Sequence, residues 1–328
     1  MKRVISILSF TIILGLLLTL SNSCEKDDPI SVAQLTTIEV SEITQTTAIA
    51  GGTIVEDGGA AINTSGVCWS KNENPTISDN KTSDNSGIGS FSSNISGLVP
   101  NTTYYARAYA TNSIGTGYGN IISFKTEDGA VDADGNVYNV IIIGTQKWMV
   151  EDLKTTKYND GVSISIETDN NAWKSLNTPG YCWYNNDEAN KNTYGALYNW
   201  YAVNTGKLSP VGWRIPTKED WKTLYDYAFN YLNSSYSISR ILKESESSHW
   251  IYPNDYATNE TGFTALPGGR RDDNGLFERM REYGYWWSTS EEDASNAWNR
   301  HMHYNNSEFY NNYHSKKNGF SVRCVTDL

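Results

Sequence analysis

The sequence predicts a multidomain chain, an N-terminal all-β sandwich followed by an α+β domain, and three observations predict it. Composition changes sharply near residue 128: ten of the eleven tryptophans lie beyond it, whereas the stretch before it is rich in Thr, Ser, Ile, Val and Gly. Before the break, short β-prone runs are separated by Gly, Asn, Asp and Pro clusters, the pattern of half-buried strands. Beyond it, strand-like apolar runs are joined by a segment with helical spacing and an N-cap residue at its start.

The N-terminus precedes both domains. Lys2 and Arg3 lead into an apolar run from Val4 to Leu20, then Ser21, Asn22, Ser23 and Cys24. A charged start, an apolar stretch and small residues ending on a cysteine read as a bacterial lipoprotein signal peptide over 1–23, with Cys24 the lipidated residue. The run is short for a bilayer span and has no basic stop-transfer flank, which argues against a retained transmembrane helix. Ser21 departs from the pattern, since an aliphatic residue usually stands three before the cysteine. Lys26, Asp27 and Asp28 resemble the surface-export signal of Bacteroidota lipoproteins. The expected location is therefore the outer membrane, lipid-anchored through Cys24 and facing the cell exterior. One acyl chain holds a protein only marginally at about 0.8 kcal/mol per buried methylene, so several chains are what make such an anchor stable.

Removing 1–23 leaves 328 − 23 = 305 residues, enough for about two domains. The formal charge of −11 argues against nucleic acid as a partner, because phosphate backbones call for a basic surface. Beyond Cys24 there are three cysteines, Cys68, Cys182 and Cys324, without zinc-site spacing. At most one intramolecular disulfide can form. Cys182 and Cys324 are the pair expected from an oxidising location and a shared domain, with free thiols as the alternative.

After a tether over 24–32, the first domain covers 33–127. Thr37–Val40, Ala48–Val55, Gly66–Ser70, Tyr104–Thr111 and Ile121–Thr126 are the expected strands, and Asp57-Gly58-Gly59 the expected hairpin turn. Cys68, between Val67 and Trp69, reads as a small buried hydrophobe. Gly66-Val67-Cys68-Trp69-Ser70 with Asn74-Pro75-Thr76, and Leu98 through Asn112, resemble the fibronectin type III-like modules of bacterial surface proteins. That resemblance implies a spacer or adhesion module, with Tyr105 tying its strand to the preceding loop.

The second domain covers 130–328. Asp132, Asp134 and Asn136 form an acidic loop, but an EF-hand requires a glutamate where Ile143 stands, so a turn held by Asp and Asn side chains is expected. Val137–Ile143 reads as a strand, followed by a tight turn and a second strand through Met149. Thr217 with Asp220 at N3, and Trp221, Leu224, Tyr225 and Ala228 at helical spacing, predict a capped helix over 218–230. Tyr194–Val203 is read as a second helix.

Seven ordered blocks then resemble one family: Gly144–Met149 with Glu151-Asp152-Leu153, Tyr181–Asn186, Tyr194–Tyr201, Gly212–Thr217, Leu266–Arg271, Tyr285–Ser290 and Gly319–Val325. They are similar to the Fibrobacter succinogenes major paralogous domain, a family of bacterial surface and secreted proteins without an established activity. Ser209 stands where many relatives carry a cysteine. A more distant likeness of the Arg214-Ile-Pro-Thr block and the closing Gly-Phe-x-Val-Arg-Cys implies a C-type lectin-like fold. Its formylglycine-generating branch relies on a redox cysteine pair that is not visible here.

No nucleophile elbow, phosphate-binding loop or zincin helix appears. His301 and His303 would share one side of a strand with His314 able to approach, but their Asn and Tyr neighbours point to a polar surface strand, and no metal or other cofactor is expected. No catalytic residue is assigned. The expected function is non-enzymatic binding or adhesion to glycan or a surface protein. Tyr304, Asn305, Asn306, Tyr310 and Tyr313 are the candidate contacts, since rings stack on sugars and amides bond hydroxyls. Tyr285, Trp286, Trp287 and Trp298 are further aromatics in the same region, the three tryptophans read chiefly as core. The alternative is a surface enzyme acting on polysaccharide or a sulfated substrate.

Overall fold

The computed structural model describes residues 29–84, 87–233, 238–245, 248–254 and 256–328. The signal segment and Cys24, Lys26, Asp27 and Asp28 lie outside the described residues. Among the described residues no helix is long and apolar enough to cross a membrane.

The first domain is a two-sheet sandwich. Strands β1 (Gln34–Ser41), β2 (Ala48–Glu56) and β5 (Gly89–Ile95) form one sheet in the order β1-β2-β5. Facing it are β3 (Thr64–Ser70), β4 (Asn80–Lys81), β6 (Thr103–Thr111) and β7 (Thr116–Tyr118) in the order β4-β3-β6-β7, with β8 (Ile122–Lys125) also on β6. Ile54, Val67, Trp69, Phe91, Ile95, Tyr104 and Phe124 fill the space between the sheets. At Gly52 a Cβ would meet the Ala108 Cβ at 2.4 Å, so glycine there lets the sheets approach.

Two expectations change. Asp57-Gly58-Gly59 does turn the chain, with the Gly59 N–H on Asp57 Oδ1 at 2.9 Å. It carries the chain across to the opposite sheet instead of closing a hairpin, because both edges of β2 are taken by β1 and β5. The tyrosine that ties strand to loop is Tyr104, not Tyr105: Tyr104 is buried and its hydroxyl accepts the Val99 N–H at 3.1 Å. Strand alternation turns the next residue away, which leaves Tyr105 half-exposed. Strand β5 had no forecast, since its Ser and Asn content mimics a loop while only Phe91, Ser93 and Ile95 face inward. Cys68 is buried as expected.

In the second domain β9 (Ala130–Val131) and β10 (Val137–Tyr138) flank the acidic loop. Asp132 accepts the N–H groups of Asp134 and Asn136 and the Tyr138 hydroxyl, so the loop is a side-chain-stabilised turn. The strand expected over 137–143 breaks at Asn139, whose N–H and amide both bond Glu151. It resumes as β11 (Val140–Ile143), hairpinned to β12 (Gln146–Met149).

Helix α1 (Asn170–Ser175) is followed by β13 (Tyr181–Cys182), α2 (Lys191–Tyr194), β14 (Leu197–Tyr198) and α3 (Trp200–Val203). The single helix expected over 194–203 is therefore broken. Gly195 sits at φ +71°, and its Cα lies so near the Leu153 carbonyl that a Cβ would come within 2.7 Å of it. Helix α4 (Lys218–Leu232) has the forecast capping box: the Thr217 hydroxyl takes the Asp220 N–H, and Asp220 returns to the Thr217 N–H. Then come α5 (Ile238–Leu242), the pair β15 (Arg270–Arg271) and β16 (Phe277–Glu278), and a meander of β17 (Tyr283–Glu291), β18 (Asn296–His303) and β19 (Tyr310–Ser315). Strand β20 (Val325–Asp327) returns to β12.

The closing segment stitches these pieces together. Gly319 bridges Arg271, Phe320 bridges Tyr198, Ser321 bridges Trp286 and Val325 bridges Arg214. On either side lie two apolar clusters, one containing Met149, Tyr198, Trp287, Phe320 and Cys324, the other Trp148, Trp221, Phe263, Trp286 and Val325. Consecutive residues serve opposite clusters (Trp148 and Met149, Trp286 and Trp287, Cys324 and Val325), as the two-residue period of extended chain requires.

At the centre Arg323 and Asp152 form an ion pair at 2.7 Å, both side chains almost wholly buried. The Trp286 indole N–H donates to the same Asp152 oxygen at 2.8 Å, and the guanidinium also donates to the Phe263 carbonyl. Removing one member of such a pair strands a buried charge. Asp152→Ala should cost about 3–5 kcal/mol, while Asp152→Leu combined with Arg323→Met should cost much less. Denaturant unfolding of the variants checks this, and equal losses for single and double variants would contradict it.

Candidate functional site

The β18–β19 hairpin pairs Trp298 with Tyr313, Arg300 with Asn311 and His301 with Tyr310. Alternation gives it two faces of different chemistry. Trp298, Arg300, Asn311 and Tyr313 lie on the face toward α4, and His301, His303, Tyr310 and His314 on the other.

On the α4 side, the Tyr313 ring meets the edge of Trp298 at 5.7 Å, and Lys218 Nζ lies 3.3 Å from the centre of the Trp298 ring. Lys218 opens the first turn of α4, so the capping box that sets the helix start also sets this contact. Next to it, between α4 and the hairpin, is a cleft of about 590 Å³ lined by Lys218, Lys222, Tyr225, Arg300, Phe309 and Asn311, with Glu219, Asp226, Glu308 and Tyr310 also on its wall. Lys222 is engaged by Asp226 at 2.5 Å. Arg300 is only 6% exposed, and burial pulls its pKa down to about 10.

On the other face Tyr310 stacks on His301 at 4.7 Å and 13°, and His301, Tyr283, Tyr285, His314 and Phe320 pack ring to ring. His301 and His303 do share a side, with His314 6.4 Å from His301 between ring centres. Among the described residues no three His, Cys, Asp or Glu side chains are grouped to hold a metal. Burial is the first cause that lowers the pKa of His301 to about 3 and of His314 to about 4, with Arg270 adding to both.

The forecast contacts separate. Tyr310 and Tyr313 are 37% and 48% exposed but lie on opposite faces of the hairpin. Asn305 is exposed. Tyr304 packs against the Trp221 cluster, and the Asn306 carbonyl accepts from the buried Lys243 ammonium at 3.2 Å, so these two hold the turn in place. Trp286 and Trp287 are fully buried and Tyr285 nearly so, whereas Trp298 is partly exposed. Sequence reading missed Arg300 and Lys218. The signal available was the i, i+2 spacing of Trp298 and Arg300 on a strand opposite the Asn311–Tyr313 pair.

The Cys182–Cys324 bond is absent: both are free, buried thiols. Cys182 pairs with Leu197 and shares a cluster with Trp173, Tyr184 and Leu197. Cys324 belongs with Tyr198, the next residue along β14, whose side chain points to the other side. Burial pushes the Cys182 thiol up to about 12 and raises that of Cys324 further.

With this geometry in view, the family is plain. A family model described as the Fibrobacter succinogenes major domain matches residues 141–326, more than half of the chain, and the chain belongs to that family. No curated protein matches it. Among solved structures it is similar to the sensor domain of the anti-sigma factor RsgI4 in Pseudobacteroides cellulosolvens, at 23% identity and a TM-score of 0.24, over 30% of this chain and 98% of that one. It is also similar to the fn3 domain of human contactin 1, at 15% identity and a TM-score of 0.23, over 30% and 79% of the two chains.

Two outcomes follow from the packing. Tyr304→Ala should destabilise by about 1–2 kcal/mol, less than truncation of a fully buried aromatic, whereas Tyr313→Ala should stay within about 0.5 kcal/mol. Thermal unfolding of the two variants tells them apart, and equal losses would refute the division. For His301 and His314 the folded pKa lies below the ordinary value near 6.5, so the unfolded chain takes up protons first as pH falls. Their contribution is complete above about pH 6.5 and is lost on acidification toward pH 4. Unfolding midpoints of His301→Phe should accordingly fall less between pH 7 and pH 4 than those of the unaltered chain, and an unchanged slope would contradict this.

Proposed function

We propose that this protein is a non-enzymatic binding or adhesion lipoprotein, anchored through Cys24 and displayed on the cell surface, whose second domain recognises glycan or protein. The observation that carries the reading is the pair of the partly exposed Trp298 and the exposed Tyr313 beside the α4 cleft. Ring faces stack on the apolar faces of sugars, Asn311 offers an amide for hydroxyls, and a concave wall supplies the area that a single exposed ring lacks. The sandwich then serves as a spacer between membrane and binding domain.

The rival reading, a surface enzyme acting on polysaccharide or a sulfated substrate, calls for a cysteine pair or converging carboxylates. Cys182 and Cys324 lie in separate clusters, and of the cleft carboxylates Asp226 is tied to Lys222. Three measurements test the proposal. Trp298→Ala combined with Tyr313→Ala should weaken glycan or cell binding about tenfold, since each ring contact is worth about 0.5–1.5 kcal/mol. Undiminished binding by a folded double variant would overturn the site. For the anchor, Cys24→Ala should abolish fatty-acid labelling, and alanine at Lys26, Asp27 and Asp28 should keep the label but remove accessibility to external protease.

A further inference from the structure

The cleft between α4 and the β18–β19 hairpin contains a charge imbalance at the level of individual contacts. Arg300 is 6% exposed, yet among the described residues it forms no ion pair, and its Nε has no hydrogen-bond partner. Its hydrogen bond to protein is a long one, Nη1 to the Phe309 carbonyl at 3.5 Å, and its guanidinium otherwise lies near the Phe309 and Tyr225 rings at 5.1 and 5.8 Å. The other buried arginines contrast with it. Arg323 has the Asp152 carboxylate, and Arg271 donates to the carbonyls of Gly275, Glu167 and Thr168 and to Asn170. A buried guanidinium with unused donors is costly to the folded state unless a ligand completes it.

Lys218 makes the same point at the cleft's other end. Its ammonium sits over Trp298 without an ion pair among the described residues, so the ring platform and the cation are one structure. Three carboxylates also lie on the wall: Asp226, which is paired with Lys222, and Glu219 and Glu308, neither in an ion pair among the described residues. They set a repulsive background that Arg300 must overcome.

Building on the proposed glycan reading, we infer that the cleft takes an acidic saccharide, its oxyanion, a uronate carboxylate or a sulfate ester, seated on Arg300 while a neighbouring sugar ring stacks on Trp298 and Tyr313. The Nε is buried, so the guanidinium donates to the anion from its Nη end, with the delocalised charge close behind it. Burial makes such a contact selective, since water competes poorly there.

The test is calorimetric titration of the full chain with an oligogalacturonate and with its methyl ester, which keeps the sugar and removes the charge. The acid should bind about ten- to hundredfold more tightly, Arg300→Met should erase that preference, and Glu308→Gln should strengthen acid binding. Acid and ester binding alike, or a preference that survives in folded Arg300→Met, would overturn the inference while leaving glycan recognition standing. If Arg300→Met fails to fold, the comparison of acid and ester on the unaltered chain decides alone. If neither sugar binds, inorganic sulfate is titrated next: Arg300-dependent binding would retain the oxyanion site and sink the glycan reading, and no sulfate binding would sink both.

Discussion

The second domain depends on one buried ion pair. Asp152 leaves the end of β12, Arg323 comes from the closing segment, and Trp286 comes from the middle of β17, so one carboxylate oxygen gathers three distant parts of the chain. Alone, none of these groups could be buried, because an isolated charge in a low-dielectric interior costs several kcal/mol. Together they specify a register. A one-residue slip of β17 would turn each of its side chains to the other face and take the Trp286 indole away from Asp152. The many short strands of this domain have little pairing of their own, and the polar centre compensates by fixing which segments meet.

The same two-residue alternation explains the site. β17 and the closing segment act as a wall between two apolar clusters, and β18 and β19 extend that wall until one side faces α4 and the other faces the histidines. A residue's role on the hairpin is therefore set by parity more than by type. Tyr310 and Tyr313 differ little as side chains, yet one stacks on the half-buried His301 and the other stands beside Trp298. The histidine face is ordered by ring packing, and its desolvated imidazoles are held neutral, a state suited to packing. The α4 face keeps cations and exposed rings together, which is where binding free energy is available.

The capping of α4 links fold to site directly. Asp220 closes the capping box, receives Arg214 at 2.7 Å, and so ties the helix start to β20 through the Arg214–Asp327 contact. That fixes the first turn, and with it Lys218 over Trp298. Helix position and ring platform are set by one acidic residue.

Much of this was legible in the sequence. The sandwich, the capped helix at 218 and the Asp132 turn are local or periodic signals: strand alternation, an N-cap with its N3 partner, and side chains that bond their own backbone. The closing Gly319–Val325 block was visible as a motif. Its role as the seam of the domain was not, because Arg323 meets Asp152 across 171 residues. Where tertiary structure overrode local reading, the cause was steric or geometric: Gly195 pressed on the Leu153 carbonyl breaks a helix that spacing favoured, and the pleat of β14 sends Cys182 and Cys324 into different clusters. Arg300 makes the same case at the site. A lone arginine in a polar strand looks like a solvated surface charge, and only the packing of α4 against the hairpin buries it, unpaired, at the wall of a cleft.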